Sequence, residues 1–240
     1  MTFFFVWARP AFASANNHLG PALGITAAFT LLARYTQGVN LTGALAGSAV
    51  AFVMAAREIR MFCLLLVVFG VTLGATRLGL DRKRQLRAAE RAGGRSASQV
   101  MANLGVSAFV VALAPAGWPM LALAALAEAS ADTVSSEIGM AFPGPTVMIT
   151  SWQRVPAGTD GGVSLRGTAA ALAGAIVIAA ISWAVGLVTA HQASVVVYAG
   201  FLGTLVDSLL GALLERRGWI NNDVVNLLST AAALGLAWLL

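Results

Sequence analysis

The sequence predicts an all-α fold, a polytopic transmembrane helix bundle with about seven or eight spans, and three observations carry that expectation. First, 58% of the 240 residues are apolar and only 10% are charged, with a mean hydropathy of +0.81, whereas a water-soluble domain carries about a quarter charged residues. Second, the apolar residues gather in charge-free runs too long for strands, and lipid accepts backbone polar groups only when they are satisfied internally. Third, a bilayer core about 30 Å thick takes about 20 residues per helix, so the chain has room for that many spans, short loops and no sizeable soluble domain. One integral membrane domain over 1–240 is therefore the expected organisation. Disorder, a disulfide scaffold built on the lone Cys63 and an ordinary soluble enzyme fold are excluded.

From the N-terminus, residues 1–15 start apolar and end in small residues, yet Arg9 follows the apolar stretch instead of preceding it, so no cleaved signal peptide is read. Charge-free stretches then fall at 17–33, 39–56, 61–76, 100–115, 117–131, 167–190, 194–214 and 224–240. Several are shorter than about 20 residues, which asks for tilt, polar continuation or partial re-entry. Fourteen Arg and one Lys face ten acids, a net charge of +5, but the cations sit between the apolar runs, where they set orientation; nucleic acid is not an expected partner. Eight spans in series put twelve cations on one side: Arg34, Arg77, Arg82, Lys83, Arg84, Arg87, Arg91, Arg95, Arg154, Arg166, Arg216 and Arg217. The other side has three, Arg9, Arg57 and Arg60. The positive-inside rule makes the first side cytoplasmic, in an expected bacterial inner membrane, with both termini outside. The polar loops 81–99 and 140–166 then face the compartment that holds nucleotides.

Small residues account for packing. Gly200, Gly203, Asp207 and Gly211 recur at helical spacing, a stripe along which another backbone can approach closely. Gly20, Gly24, Gly43, Gly47, Gly70 and Gly74 form similar spacings in three earlier spans and are assigned to packing too. Such stripes permit a homodimer without requiring one.

Acids inside apolar runs point to chemistry, because an ionisable side chain within a span costs about 2.5 to 3.5 kcal/mol on the insertion scale. Five qualify: Glu128, Asp132 and Glu137 at the end of the fifth stretch, Asp207 in the seventh and Glu215 just after it. On a helix, Glu128, Asp132, Ser135 and Gly139 fall within about 60° of one face, while Glu137 points the other way unless the helix breaks. Thr133, Ser135 and Ser136 add hydroxyls suited to phosphate or a hydrated cation. Mg²⁺ takes one or two carboxylates with waters and substrate phosphates, which suits Asp132 with a neighbour, Glu128 or Asp207. The alternative is structural: Asp132 or Asp207 neutralised by Arg95 or Arg166 to hold the bundle together.

Three polar segments flank these acids. Gly158, Thr159, Asp160, Gly161, Gly162, Val163 and Ser164, followed by Arg166, lead into a long apolar span, so backbone N–H groups and a helix N-terminus can cradle phosphate there, or the segment is only a turn. It is not a Walker A loop, which requires Gly-Lys before Ser or Thr, and the only lysine is Lys83. Gln99 and Asn103, four residues apart, either read a base or ribose or bond to another helix. Asn222, Asp223, Asn226 and Ser229 open the last span, where Asn222 or Asp223 can serve as helix cap. His18 and His191 lack partners at zinc spacing.

Several strings together resemble a known family. They are Thr76-Arg77-Leu78-Gly79; Gly93-Gly94-Arg95 with Gln99-Val100 and Ala102-Asn103; Ala131-Asp132-Thr133 with Ser136-Glu137-Ile138-Gly139; the 158–164 loop; and Asn222-Asp223 with Val225-Asn226 and Leu228-Ser229-Thr230. In this order they resemble the membrane family of phytyl-phosphate kinases of vitamin E biosynthesis, from about residue 18 to the C-terminus. More distantly, that family resembles dolichol kinase, phytol kinase and the CTP-dependent diacylglycerol kinase. The resemblance implies transfer of a phosphoryl group from a nucleoside triphosphate, CTP, to a prenyl monophosphate, and points to Asp132, Thr133, Ser136, Glu137 and the 158–164 loop. Asp160 stands where some relatives have an amide.

The expected site therefore has Asp132, Glu137 and Arg95 as catalytic groups and Asp132, Glu128 and Asp207 on Mg²⁺. Gln99, Asn103, Thr133, Ser136, Gly158, Thr159, Asp160, Gly161, Gly162, Ser164, Arg166, Asn222, Asp223 and Asn226 contact the nucleotide and its phosphates. A phosphate monoester is already anionic near pH 7, its second pKa being about 6, so no general base is required. The prenyl tail needs an apolar groove open to membrane lipids. Two alternatives remain: a CTP-dependent kinase of a free prenol or lipid alcohol, for which Asp132 or Glu128 would be the base, and a proton- or cation-coupled transporter.

Overall fold

A computed structural model describes residues 16–85, 94–113, 119–142 and 144–240; the expectations on residues 1–15 and on Arg87, Arg91 and Gly93 lie outside them. Each of the eight apolar stretches contains one helix: α1 (Asn16–Tyr35), α2 (Leu41–Arg57), α3 (Ile59–Arg77), α5 (Ala97–Leu113), α6 (Pro119–Ala141), α7 (Leu165–Ala184), α8 (Ala190–Leu213) and α9 (Asn222–Leu239). A short α4 (Leu80–Gln85) follows α3, and a 3₁₀ turn (Glu215–Arg217) follows α8. Polar caps set the boundaries. Asn40 accepts from Gly43 N at 2.9 Å, Asn221 accepts from Val224 N at 3.0 Å, and Thr189 with Gln192 forms a reciprocal capping box on α8. Asn221, not Asn222 or Asp223, thus caps the last helix.

The expectation of seven or eight spans is corrected. Among the described residues, three helices are long and apolar enough to cross a membrane: Ile59–Arg77, Leu165–Ala184 and Ala190–Arg217. Charge-free runs overcount spans because freedom from charge is not length. α2 and α5 have 17 residues each, about 25 Å at about 1.5 Å per residue, short of a core about 30 Å thick. α6 has the length, but Glu128, Asp132 and Glu137 interrupt it, and protein encloses it. The side assignment that rested on eight alternating crossings goes with that count. The all-α class stands, with one small sheet in the expected loop 140–166, where β1 (Thr146–Met148) pairs antiparallel with β2 (Arg154–Val155) and β3 (Gly162–Ser164) in the order β2-β1-β3.

α6 is the axis of the bundle. Residues 121–131 are buried without interruption, as expected of a helix apolar on all sides, and α3, α5, α7, α8 and α9 surround it. Alanines on α6 and glycines on its neighbours let backbones approach. A Cβ at Gly200 would stand 2.9 Å from Ala127 Cβ, one at Gly203 2.6 Å from Glu128 Cγ, and one at Gly174 3.2 Å from Ala131 Cα. The glycine stripe of α8 is therefore a packing surface. The earlier stripes are not: a Cβ at Gly20, Gly24, Gly47, Gly70 or Gly74 meets nothing within 4 Å, and only Gly43 of that group is tightly packed, against the Arg95 backbone.

The two ends differ in charge. Arg57 and Arg60 lie at one, where Arg60 Nη1 donates to Val185 O and Gly186 O. At the other, Arg77 donates to Thr36 O, Arg82 donates to Met140 O at 3.0 Å and Arg216 lies 3.6 Å from Met148 Sδ. Exposed Leu31, Phe109, Leu165 and Ile176 give the exterior an apolar character, and exposed aromatic residues sit at both ends: Tyr35, Trp152 and Trp219 at one, Trp183 and Trp238 at the other.

Candidate functional site

Arg95 is the most firmly placed of the expected functional residues. Its N–H donates to Gly38 O at 3.1 Å and its carbonyl accepts from Asn40 N at 3.0 Å, a one-residue bridge that ties it to the α1–α2 turn. Gly94 makes that approach possible, since with φ +82° a Cβ there would stand 2.6 Å from Val39 N. Held this way, the Arg95 guanidinium reaches Thr133 Oγ1 at 3.4 Å and acts on the neighbouring Asp132 carboxylate.

The acids of α6 separate by face, as their spacing predicts. Asp132 meets Asp207 of α8 within hydrogen-bonding reach, and Ser229 Oγ of α9 donates to Asp207 Oδ2 at 3.2 Å. Glu128, 1% exposed, sits one turn behind them, and its Oε1 has no hydrogen-bond partner. Two carboxylates in contact repel, so the pair needs a counter-charge. Glu137 lies on the opposite face, in a buried ion pair with Lys83 of α4, whose Nζ also donates to Ala75 O at 2.8 Å and Thr76 O at 3.1 Å. The structure thus sets Glu137 apart from the carboxylate pair.

The 158–164 loop closes over the same pair. The three-stranded sheet carries it, and Gly161, at φ +74°, lies so close to α8 that a Cβ would stand 2.6 Å from Ala212 Cα. Ser164 ends β3 and caps α7, accepting from Gly167 N at 3.1 Å. The result is a polar cavity of about 410 Å³, lined by Asp132, Asp207 and Glu215, by Ser135 and Ser136, and by the glycine loop. The loop and the first turn of α7 line this space, and the positive end of that helix favours an anion there, although Thr159 N and Gly162 N already donate within the loop.

Gln99, Ser136, Gly158, Thr159, Asp160, Gly161, Gly162, Ser164 and Asn222 line the cavity with the aspartates. Others expected there do not. Asn103 Nδ2 donates to Gln99 O of its own helix at 2.9 Å, Asn226 accepts from Ser229 and Thr230, Asp223 lies in the first turn of α9, and Arg166 is exposed on α7. Gln99 has a structural task as well, since its Oε1 accepts from Ser96 N at 2.9 Å at the start of α5. Lys83 was legible only as a loop cation, and nothing in its spacing signalled Glu137.

Among the described residues no group of three or more His, Cys, Asp or Glu side chains converges on a metal position, so Asp132, Glu128 and Asp207 do not form a three-acid cage. The donor set nevertheless fits Mg²⁺: two facing carboxylates, with serine hydroxyls beside them, are what an ion retaining its waters and binding substrate phosphates takes.

Comparison with known proteins follows the same regions. The chain is 33% identical over 187 residues to an uncharacterized membrane protein of Synechocystis sp., covering 74% of this chain and 72% of the relative. It is 33% identical over 174 residues to an uncharacterized membrane protein of Methanocaldococcus jannaschii, covering 70% of each. It is 40% identical over 101 residues to Protein VTE6, chloroplastic, of Arabidopsis thaliana, covering 41% of this chain and 30% of that protein. No solved structure matches. The family profile described as Integral membrane protein DUF92 matches residues 24–234, and the chain, an integral membrane protein homologous to VTE6, belongs to that family.

Proposed function

We propose that the chain is a membrane-embedded phosphotransferase, a CTP-dependent kinase that converts phytyl or geranylgeranyl monophosphate to the diphosphate at the cytoplasmic face of its membrane. The observation that carries this reading is the contact of Asp132 with Asp207 in a polar cavity faced by the 158–164 loop and the N-terminus of α7. Similarity to Protein VTE6, and the motifs that resemble phytyl-phosphate kinases, support the reaction class. The cations gathered at the cavity end, against Arg57 and Arg60 at the other, support a cytoplasmic site.

Phosphoryl transfer asks a protein mainly to position two reactants and neutralise spread negative charge. The 158–164 loop and the first turn of α7 hold the triphosphate, and Arg95, 3.4 Å from Thr133 Oγ1, adds positive charge beside Asp132. Asp132 and Asp207 are the residues that would hold Mg²⁺, which when bound supplies charge neutralisation on the phosphates. An acceptor phosphate oxygen attacks the γ-phosphorus; a P–O bond forms, the bond from the γ-phosphorus to the bridging oxygen breaks, and the nucleoside diphosphate leaves. A dianionic acceptor has no proton to lose, so Asp132 need not act as a base.

Protein purified in detergent is supplied with CTP and either phytyl phosphate or phytol, and products are weighed by mass spectrometry. Diphosphate from the monophosphate is expected. Asp132→Asn should fall to background while melting like the parent protein. Full activity in that variant removes the metal role, and no nucleotide-dependent product from either acceptor overturns the reading.

A further inference from the structure

A second cavity, of about 520 Å³, lies among α1, α2, α3 and α5, within the roughly 300–1,000 Å³ of small-molecule sites. Its lining changes character along α3. Leu65, Val68, Phe69, Leu73 and Arg77 follow one another on the cavity side over 12 residues, about 18 Å at about 1.5 Å per residue. Phe29 of α1 and Leu104 of α5 complete the apolar part. At the far end stand Arg77, Arg84 and Arg95, at the same end of the bundle as the polar cavity. Each has a neighbour already: Arg84 lies 3.7 Å from Asp81, both side chains largely exposed, Arg77 donates to Thr36 O, and Arg95 acts on the Asp132 carboxylate.

We propose that this cavity seats a single-chain lipid phosphate monoester, its hydrocarbon among the α1, α3 and α5 side chains and its phosphate at Arg77, Arg84 and Arg95. As the seat of the acceptor, it rests on the phosphotransferase reading above. Three observations carry it. An apolar tunnel ending in guanidinium groups matches an amphiphile with one anionic end, and a monophosphate bears about −1.5 to −2 charges at pH 7, which guanidinium groups pair with in bidentate fashion. Arg95 belongs to both neighbourhoods: it lines this cavity and reaches Thr133, the residue next to Asp132, so a phosphate held here adjoins the carboxylate pair. The volume suits one chain and leaves the second chain of a diacyl phosphate outside.

Gly47 supplies a test that does not press on the fold, because it lines the cavity and a Cβ there meets nothing within 4 Å. Leucine at this helical position fills the tunnel and favours the helix. With the full chain in detergent, binding of tritiated geranylgeranyl monophosphate is read by scintillation proximity, and CTP binding separately by calorimetry. Gly47→Leu is expected to weaken the lipid phosphate by about tenfold or more and to hold CTP within about twofold, which also certifies folding. Arg84→Gln, at an exposed side chain, should weaken the monophosphate by about fivefold or more while geranylgeraniol binds as before. Dioleoyl phosphatidate should not compete. Parental lipid-phosphate binding in both variants overturns the proposal, as does effective competition by the diacyl lipid. If Gly47→Leu still forms diphosphate at the parental rate, the seat fails and the kinase reading stands. If the parent protein binds the lipid phosphate, Gly47→Leu does not, and no nucleotide yields product, the kinase reading fails and the seat stands.

Discussion

Replacing Lys83 with methionine should cost this protein more stability than a change at almost any other charged residue. Lys83 is 1% exposed and its ammonium contacts Glu137 Oε2, whose side chain is 9% exposed, and it also donates to the Ala75 and Thr76 carbonyls near the end of α3. Removing it from α4 strands a buried carboxylate on α6 and two acceptors on α3. Breaking a buried pair by deleting one partner costs about 3–5 kcal/mol, because the remaining charge keeps its desolvation penalty. At about 2–4 °C per kcal/mol for a chain of this size, the midpoint in detergent should fall by about 10 °C, followed by tryptophan fluorescence. Lys83→Met with Glu137→Gln removes the stranded charge and should regain most of the loss. Because Glu137 stands apart from the carboxylate pair, the double variant should also keep its product-forming activity. A single variant within about 1 kcal/mol of the parent, or a double variant no better than the single, would refute the reasoning.

Gly203→Val should destabilise by about 1–3 kcal/mol or more in the same melt, since a Cβ would stand 2.6 Å from Glu128 Cγ and 2.9 Å from Ala233 Cβ; an unchanged midpoint would mean that α6, α8 and α9 are not packed as described. Glu58, which caps α3, accepts from Arg60 Nε at 2.9 Å, and that hydrogen bond holds its carboxyl below the usual glutamate range. A depressed folded pKa means stabilisation that is full above the unfolded value and lost as pH falls through the folded one. Arg60 is exposed and Glu58 partly so, hence Glu58→Gln should cost less than about 1 kcal/mol at pH 7, and the gap to the parent should close on acidification; a gap that widens contradicts the assignment.

Local chemistry was readable where one helix contains the whole relation. The spacing of Glu128, Asp132 and Glu137 put the first two on one face of α6 and the third on another, and the structure keeps that division. Gly158 to Ser164 before a long helix read either as a phosphate cradle or as only a turn; the loop lines the polar cavity, a placement that the local sequence left open. Gln99 illustrates the limit of such reading. Its side chain caps its own helix while also lining the cavity, and sequence spacing alone does not separate those roles.

The amino-acid order by itself determined that the chain is membrane-embedded, where its helices lie and which acids are too costly to be there by accident, because hydropathy, helical period and capping are properties of neighbouring residues. Tertiary structure decided the rest. Only packing shows that α6 is an enclosed axis, that three helices have the length and apolarity to cross, that Asp207 meets Asp132 while Lys83 takes Glu137, and that Arg95 lines one cavity while reaching Thr133 beside Asp132. Those pairings join residues far apart in the chain, and what fixes their register is the depth at which Gly174, Gly200 and Gly203 let neighbouring backbones settle against α6.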